Sequence, residues 1–158
     1  MNMKPEQSPF HADRSLFEAV ANLGSPVACP EDMVLFRQGE ECPGLFVLKS
    51  GRATLQMNCE SGEVCSEFEA EGGSLLGLPA ILSGEKYSLT AVALRAADVG
   101  FVKRDDFLDL INSSSALSLK ALQVMAAETR AARAALMEAL ERRRVLKQIC
   151  DGSMESEG

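Results

Sequence analysis

The chain has 158 residues, of which 46% are hydrophobic and 25% charged, with a net charge of −7 at pH 7. This length and composition predict one globular domain that buries about two-thirds of its unfolded surface. The acidic balance argues against a nucleic-acid partner, and the absence of a long apolar run or a signal-peptide pattern argues against membrane insertion and export. We therefore expect a cytoplasmic protein with no membrane partner.

The N-terminal region predicts a short helix behind a loose arm. Residues 1–10 contain two prolines and have mixed polarity, which predicts a flexible arm. Residues 11–23 carry apolar side chains at helical spacing and stop at Gly24, a residue type that commonly ends helices. We expect this helix to lie on the domain that follows, so the predicted domain spans residues 11–150.

Residues 26–103 predict a series of short antiparallel strands. Runs rich in β-forming residues are separated by glycine turns, at residues 33–37, 45–49, 53–57, 64–68, 88–95 and 99–103. Many short strands joined by such turns favour an antiparallel sandwich or barrel over a parallel α/β sheet. The predicted fold is therefore mainly β, a jelly-roll barrel with flanking helices.

The stretch EGGSLLGLPAILSGEKYSLTAVA, at residues 71–93, interrupts the strands. It reads as a glycine turn, a short apolar segment that enters a helix, a second turn and a strand. The first turn of a helix presents unpaired backbone N–H groups, which attract anions and phosphates in particular. We therefore predict a site for a small anionic ligand here.

A long helix is predicted over residues 116–150, because this segment is rich in alanine and contains no glycine or proline. Its apolar residues recur at steps of three and four, as in the seam of a two-stranded coil. The seam residues are Leu122, Met125, Thr129, Ala132, Leu136 and Leu146, with Ala139, Arg143 and Cys150 at the same spacing. We expect a homodimer through this helix, although a stripe that packs on the chain's own domain would look similar. Residues 151–158 predict a flexible acidic tail.

Cysteine and histidine usage gives little support for redox, metal or catalytic chemistry. The five cysteines are scattered, as ordinary small apolar residues would be, although Cys59 and Cys65 flank a turn and would face each other across a hairpin. The single histidine, His11, cannot supply a cupin metal site or a catalytic triad, and scattered cysteines argue against an iron–sulfur or haem sensor. We expect no metal, no cofactor and no enzymatic activity.

Several motifs in this order resemble the cyclic-nucleotide-binding domain of the catabolite activator (cyclic-AMP receptor protein) type. They are LFRQGE at residues 35–40, GLFVLKSG at 44–51, the segment 77–93 and RDDF at 104–107, after a short helix and before a long one. The resemblance spans roughly residues 16–146. It implies a jelly-roll fold in which residues 77–93 form a phosphate-binding cassette and ligand occupancy is read through the long helix.

In the family the cassette carries a glutamate that binds the ribose hydroxyl and an arginine that pairs with the cyclic phosphate. Here the two positions hold Leu78 and Tyr87, so both defining side chains are missing. A tyrosine hydroxyl cannot neutralise a phosphate as an arginine does. The cassette residues that the resemblance places at a ligand are Leu76, Gly77, Leu78, Ala80, Tyr87, Ser88 and Leu89.

On the long helix, the resemblance places Ala132 and Arg133 over the ligand. We expect non-canonical or lost cyclic-nucleotide binding in a regulatory or sensor module. The alternative is genuine cyclic AMP or cyclic GMP binding, with backbone N–H groups and Arg133 in place of the missing arginine, acting through a separate output protein. No helix-turn-helix follows the long helix in this sequence, so we expect no direct DNA binding.

Overall fold

The computed structural model describes residues 8–155, and it confirms the antiparallel jelly roll. Within these residues, eight strands form two four-stranded sheets. The strand order in the first sheet is β1 (Ser25–Val27), β8 (Asp98–Lys103), β3 (Gly44–Ser50) and β6 (Ser74–Leu76). The order in the second sheet is β2 (Met33–Phe36), β7 (Thr90–Ala93), β4 (Arg52–Asn58) and β5 (Val64–Glu71).

Helices flank the sheets within the same residues. They are α1 (Arg14–Ala21), α2 (Leu78–Ser83), α3 (Arg104–Ser113) and α4 (Ser115–Glu155). α2 lies between β6 and β7, inside the stretch that predicts the anion site. A single residue, Ser114, separates α3 from α4, and its side chain caps α4 by accepting a 3.2 Å hydrogen bond from the backbone N–H of Leu117.

The core lies between the two sheets and extends under α1 and α3. β3 is buried from Gly44 to Leu48 because the sheet core covers one face and α1 and α3 pack on the other. The largest fully buried side chains include Leu16, Leu45, Leu55, Leu75, Leu78, Ile81 and Phe107. Burial of one such side chain contributes about 1.5–3 kcal/mol. α2 belongs to this core through its buried residues Leu78, Ala80 and Ile81.

The flexible arm predicted for residues 1–10 is wrong at Phe10. This side chain is only 3% exposed, and its ring meets Phe68 edge-on at a centroid distance of 6.1 Å. The carbonyl of Phe10 also accepts a 2.9 Å hydrogen bond from the N–H of Leu75. Apolar burial and this bond fix the end of the arm on β6, while residues 1–7 lie outside the described residues.

Asp13 connects the start of α1 to α4. Its carboxylate caps α1 by accepting a 2.9 Å hydrogen bond from the N–H of Ser15, so the helix begins at Arg14 instead of residue 11. Lys120 Nζ lies 3.0 Å from the same carboxylate oxygen. The hydrogen bonds from Ser15 and Lys120 hold the pKa of Asp13 well below its usual range. This charge pair links the first and last helices of the domain.

α4 has 41 residues and ends at Glu155, beyond the predicted end at Cys150. The predicted acidic tail is therefore wrong at residues 151–155, and residues 156–158 lie outside the described residues. The helix passes through Gly152 at a cost of about 1 kcal/mol. At 1.5 Å per residue it is about 60 Å long, which exceeds what a small barrel can cover. No helix in residues 8–155 is apolar enough over a sufficient length to cross a membrane.

The sequence does not predict β1 and β6. Each has three residues, too few for an alternating pattern, and each is defined by a longer partner: β1 pairs with β8 and β6 with β3. One strand is shorter than predicted: the strand expected over residues 88–95 begins only at Thr90. Ser88 and Leu89 remain outside the sheet, where they line cavities described below.

Cys59 and Cys65 face each other across the hairpin of β4 and β5, as the sequence suggests. The structure joins them in a disulfide with a Cα–Cα distance of 5.6 Å, within the usual range for such bonds. Cys29 and Cys42 are buried, as ordinary small apolar residues are, and burial raises the pKa of the Cys29 thiol.

Candidate functional site

The cassette begins with a glycine that no other residue could replace without strain. Gly77 caps the N-terminus of α2 in a left-handed conformation, with φ of 95°. A Cβ atom at this position would lie 2.9 Å from Cε1 of Tyr87. Gly77 therefore allows both the turn into α2 and the close approach of the Tyr87 ring.

Tyr87, at the position of the family's arginine, is a core residue. Only 4% of it is exposed, and its ring stacks on Phe36 with a centroid distance of 3.9 Å and an interplanar angle of 13°. Its hydroxyl donates a 2.5 Å hydrogen bond to the carbonyl of Gly44. Burial first, and then the hydrogen bond with Cys42, raise the pKa of Tyr87, so it stays neutral. The hydroxyl is engaged within the protein and is not directed at a ligand.

The other defining position of the cassette is also part of the core. Leu78, where the family has its ribose-binding glutamate, is fully buried, and so is Leu76. Neither side chain lines the cavities described here. A small void of about 10 Å³ remains between the cassette, Tyr87 and α4. This void is near the minimum that holds a single water molecule.

A larger cavity of about 240 Å³ lies beside this void, between the cassette, the β4–β5 hairpin and α4. We call it the Glu128 cavity. Its lining residues are Pro9, Phe10, Met57, Phe68, Pro79, Ser88, Leu89, Glu128, Thr129, Ala131 and Ala132. Glu128 is the only charged residue type in this lining, and no lysine or arginine accompanies it. The cavity is therefore apolar with one acidic group, the reverse of a phosphate site.

Glu128 is buried on the domain-facing side of α4, with 9% of it exposed. Its Oε1 atom is buried and has no hydrogen-bond partner. Burial raises the pKa of Glu128 to about 8, because a charged carboxylate loses more hydration energy than a neutral carboxyl group. At pH 7 the group is therefore mostly protonated and neutral.

The structure brings most of the predicted ligand residues to the two cavities. Gly77, Ala80 and Tyr87 line the small void, Ser88 and Leu89 line both, and Ala132 lines the Glu128 cavity. Arg133 is exposed on α4 and lines neither cavity. Pro79 lies in the first turn of α2 and has no backbone N–H, so this turn offers a ligand one hydrogen-bond donor fewer than it would with another residue.

Sequence reasoning missed Glu128. Leu117, Ala121, Val124 and Glu128 follow one another at steps of three and four and form the side of α4 that faces the domain. An acid inside an apolar stripe is the signal that would have found it, since acidic residues are seldom buried without a partner. Phe10 was missed because the arm gave no periodic pattern.

The predicted seam lies beside this domain-facing stripe and is largely exposed. Leu122, Leu136 and Leu146 are each more than half exposed, and Met125 and Ala132 are partly buried. Thr129 is exposed. The predicted seam therefore overlaps the domain-facing side of α4 at Met125, Thr129 and Ala132, and its exposed part consists of Leu122, Leu136 and Leu146.

Residues 8–155 contain no group of three or more histidine, cysteine, aspartate and glutamate side chains arranged to hold a metal ion. His11 is exposed and pairs with Ser74 in an isolated β-bridge.

A family model described as the cyclic nucleotide-binding domain matches residues 26–114, more than half of the chain. These residues run from β1 to the end of α3 and include the cassette. No curated protein sequence matches the chain.

Solved structures with the same fold are distant in sequence. The catabolite activator protein of Thermus thermophilus is 24% identical with a TM-score of 0.63, over 82% of this chain and 60% of that chain. A transcriptional regulator of Thermotoga maritima is 18% identical with a TM-score of 0.64, over 75% of this chain and 93% of that chain. Oxidised CprK in complex with o-chlorophenolacetic acid is 16% identical with a TM-score of 0.61, over 81% of this chain and 54% of that chain. The match thus spans about 60% of the Thermus protein.

Proposed function

This chain belongs to the cyclic nucleotide-binding domain family, and we propose that it is a regulatory or sensor module that no longer binds cyclic nucleotides. The observation that carries this proposal is the place of Tyr87. In the position of the phosphate-binding arginine, a neutral tyrosine is stacked on Phe36 and bonded to the carbonyl of Gly44. A phosphate at the cassette would have no cation to pair with and would lie near the acidic Glu128.

The energetic consequence is large. A charge-assisted hydrogen bond to phosphate is about twice as strong as a neutral one, and a buried anion without a partner costs several kcal/mol. Arg133, which the alternative of genuine cyclic-nucleotide binding requires, is exposed and lines neither cavity. The structure of CprK with o-chlorophenolacetic acid supports the idea that this fold accepts ligands other than nucleotides.

Calorimetric titration with cyclic AMP and cyclic GMP tests this proposal. We expect no saturable heat with either nucleotide up to about 1 mM, because the site lacks a cation. Saturable binding in the micromolar range overturns the proposal. In that case the Arg133→Ala variant decides whether the helix arginine replaces the missing one, since loss of binding in this variant is what the alternative predicts.

We further propose that occupancy of the domain is read through α4. This helix carries Glu128 on the side that faces the cassette, and the exposed seam residues Leu122, Leu136 and Leu146 on the same helix. The Asp13–Lys120 pair holds the first half of the helix to α1. A change in the Glu128 cavity therefore acts on the same helix that would contact a second copy. This role requires no reaction, and we propose none.

The seam supports a homodimer, because Leu122, Leu136 and Leu146 expose more than half of their apolar side chains. We expect Leu136→Glu to convert the dimer into a monomer at micromolar concentrations, since two carboxylates would meet in the seam. Light scattering coupled to size-exclusion chromatography gives the mass. The matched control is Met137→Glu, a neighbouring residue of similar exposure (62% against 56%) that lies on a different face. A wild-type monomer, or equal effects of both variants, argues against this seam.

A further inference from the structure

The two cavities meet at one carboxyl group. The void and the Glu128 cavity share five lining residues, which are Phe10, Pro79, Ser88, Leu89 and Glu128. Glu128 Oε1 is buried in this region without a hydrogen-bond partner. An unpaired buried acceptor is unfavourable, and native proteins rarely retain one without a reason. A ligand that donates a hydrogen bond to this atom would satisfy it.

The size and polarity of the Glu128 cavity limit what it can hold. An engineered apolar cavity of about 150 Å³ accommodates benzene, so 240 Å³ has room for one aromatic ring and a short chain. Phe10, Met57, Phe68 and Leu89 provide apolar contacts around this space. These side chains favour a ligand with an apolar body.

The charge pattern determines the polar group of that ligand. No cationic side chain lines the cavity or the void, so no side chain there can form an ion pair with an anionic ligand, whereas Glu128 can form one with a cation. A primary ammonium group donates up to three hydrogen bonds, and the lining offers it the carboxyl group of Glu128 and the hydroxyl groups of Ser88 and Thr129. We propose that the Glu128 cavity binds a small organic ammonium ion, a primary amine on an apolar or aromatic body of about nine non-hydrogen atoms.

This ligand class deepens the function proposed above and rests on it, because it assumes that the cavity replaces the cyclic-nucleotide site. A site of this kind would prefer a cationic ligand, whereas a phosphate-binding cassette prefers an anionic one. Because Glu128 belongs to α4, the ammonium–carboxylate contact would hold α4 against the cassette and fix its position.

Binding of the ammonium ion must release a proton. Burial raises the pKa of Glu128 to about 8, so at pH 7 its carboxyl group carries a proton. To pair with an ammonium ion, the carboxyl group loses this proton to solvent and becomes a carboxylate, while the amine keeps its own. The other titratable group of the lining, Tyr87, remains bonded to the carbonyl of Gly44, and the remaining residues are uncharged. Affinity should therefore rise roughly tenfold per pH unit between pH 6 and pH 7.

Calorimetric titration of the full chain with 2-phenylethylammonium tests the inference. We expect binding with a dissociation constant below about 1 mM, and release of close to one proton at pH 7, measured in two amine-free buffers of different ionisation enthalpy. 3-Phenylpropionate, which has the same body with a carboxylate in place of the ammonium, should bind at least tenfold more weakly. Equal or tighter binding of the acid, or no binding of the amine, overturns the inference.

Glu128→Gln should weaken amine binding at least tenfold and abolish proton release, because the amide cannot become an anion. Glu138→Gln makes the same carboxyl-to-amide change at an exposed position on α4, outside the Glu128 cavity, and should bind as the wild type does. Ala131→Leu keeps the carboxyl group but fills the cavity, and should also weaken binding. Equal affinity of wild type and Glu128→Gln contradicts the assignment. Cyclic-AMP binding would instead refute the proposed function, so the two failures are distinguishable.

Discussion

The Glu128→Gln variant is expected to unfold at a higher temperature than the wild type at pH 8, and to lose most of the dependence of its stability on pH between 5 and 8. The pKa of Glu128 rises from 4.5 to about 8 on folding. In that interval the folded protein holds a proton that the unfolded chain has released. Stability is therefore greatest below pH 4.5 as far as this group is concerned, and it falls as the pH rises towards 8.

The expected size of the effect follows from the same shift. Each pH unit within the interval changes the free energy of unfolding by about 1.4 kcal/mol, so the wild type should lose roughly 3 kcal/mol between pH 5 and 7.5. For a domain of this size, that corresponds to a fall in melting temperature of roughly 6–12 °C. Glutamine cannot ionise, so its unfavourable burial does not change with pH.

Thermal unfolding of the wild type, Glu128→Gln and Glu138→Gln at several pH values provides the measurement. The Glu138→Gln control makes the same carboxyl-to-amide change as Glu128→Gln, but the substituted side chain is exposed. We expect its melting temperature to follow the wild type across the whole range. Parallel curves for all three proteins contradict a raised pKa for Glu128.

The second large effect is expected at Tyr87. Tyr87→Ala removes a ring that stacks on Phe36 and lies against Gly77, and it leaves a cavity. We expect a loss of about 3–5 kcal/mol in the free energy of unfolding, as is typical of aromatic-to-alanine changes in cores. Tyr87→Phe keeps the ring but removes the hydrogen bond to the buried Gly44, and should cost about 1–3 kcal/mol.

Urea unfolding measures both losses. Ser88→Ala is the control, because Ser88 is adjacent in sequence and lines both cavities but is exposed. We expect its stability to stay within about 0.5 kcal/mol of the wild type. A Tyr87→Ala variant that is as stable as this control would mean that Tyr87 is not a core residue and is available for a ligand.

The fold was predictable because its signals are local. Glycine turns between short β-forming runs predict the strands of a jelly roll, and an alanine-rich segment without glycine or proline predicts the long helix. β1, β6 and the anchoring of Phe10 were not predictable, because their partners lie far away in sequence and contribute the hydrogen bonds and contacts that define them.

At the site, the sequence predicts what is missing but not what replaces it. Leu78 and Tyr87 indicate the loss of the phosphate-binding pair, but a motif comparison cannot tell whether Tyr87 points at a ligand or into the core. Phe36 and Gly44, which hold its ring and hydroxyl, are more than 40 residues away. The burial of Glu128 was equally hard to predict from the sequence, since it depends on the packing of α4 against the cassette and the β4–β5 hairpin.

The change from an anion-binding cassette to an apolar cavity around a neutral carboxyl group is tested most directly by the pKa of Glu128. Carbon-13 NMR of glutamate-labelled protein follows each side-chain carboxyl signal with pH, and Glu128→Gln assigns the signal by its disappearance. We expect the Glu128 signal to titrate near pH 8, well above the ordinary value of 4.5 for a glutamate. Titration near pH 4.5 would mean that Glu128 is hydrated and charged at neutral pH, and would contradict this description of the site.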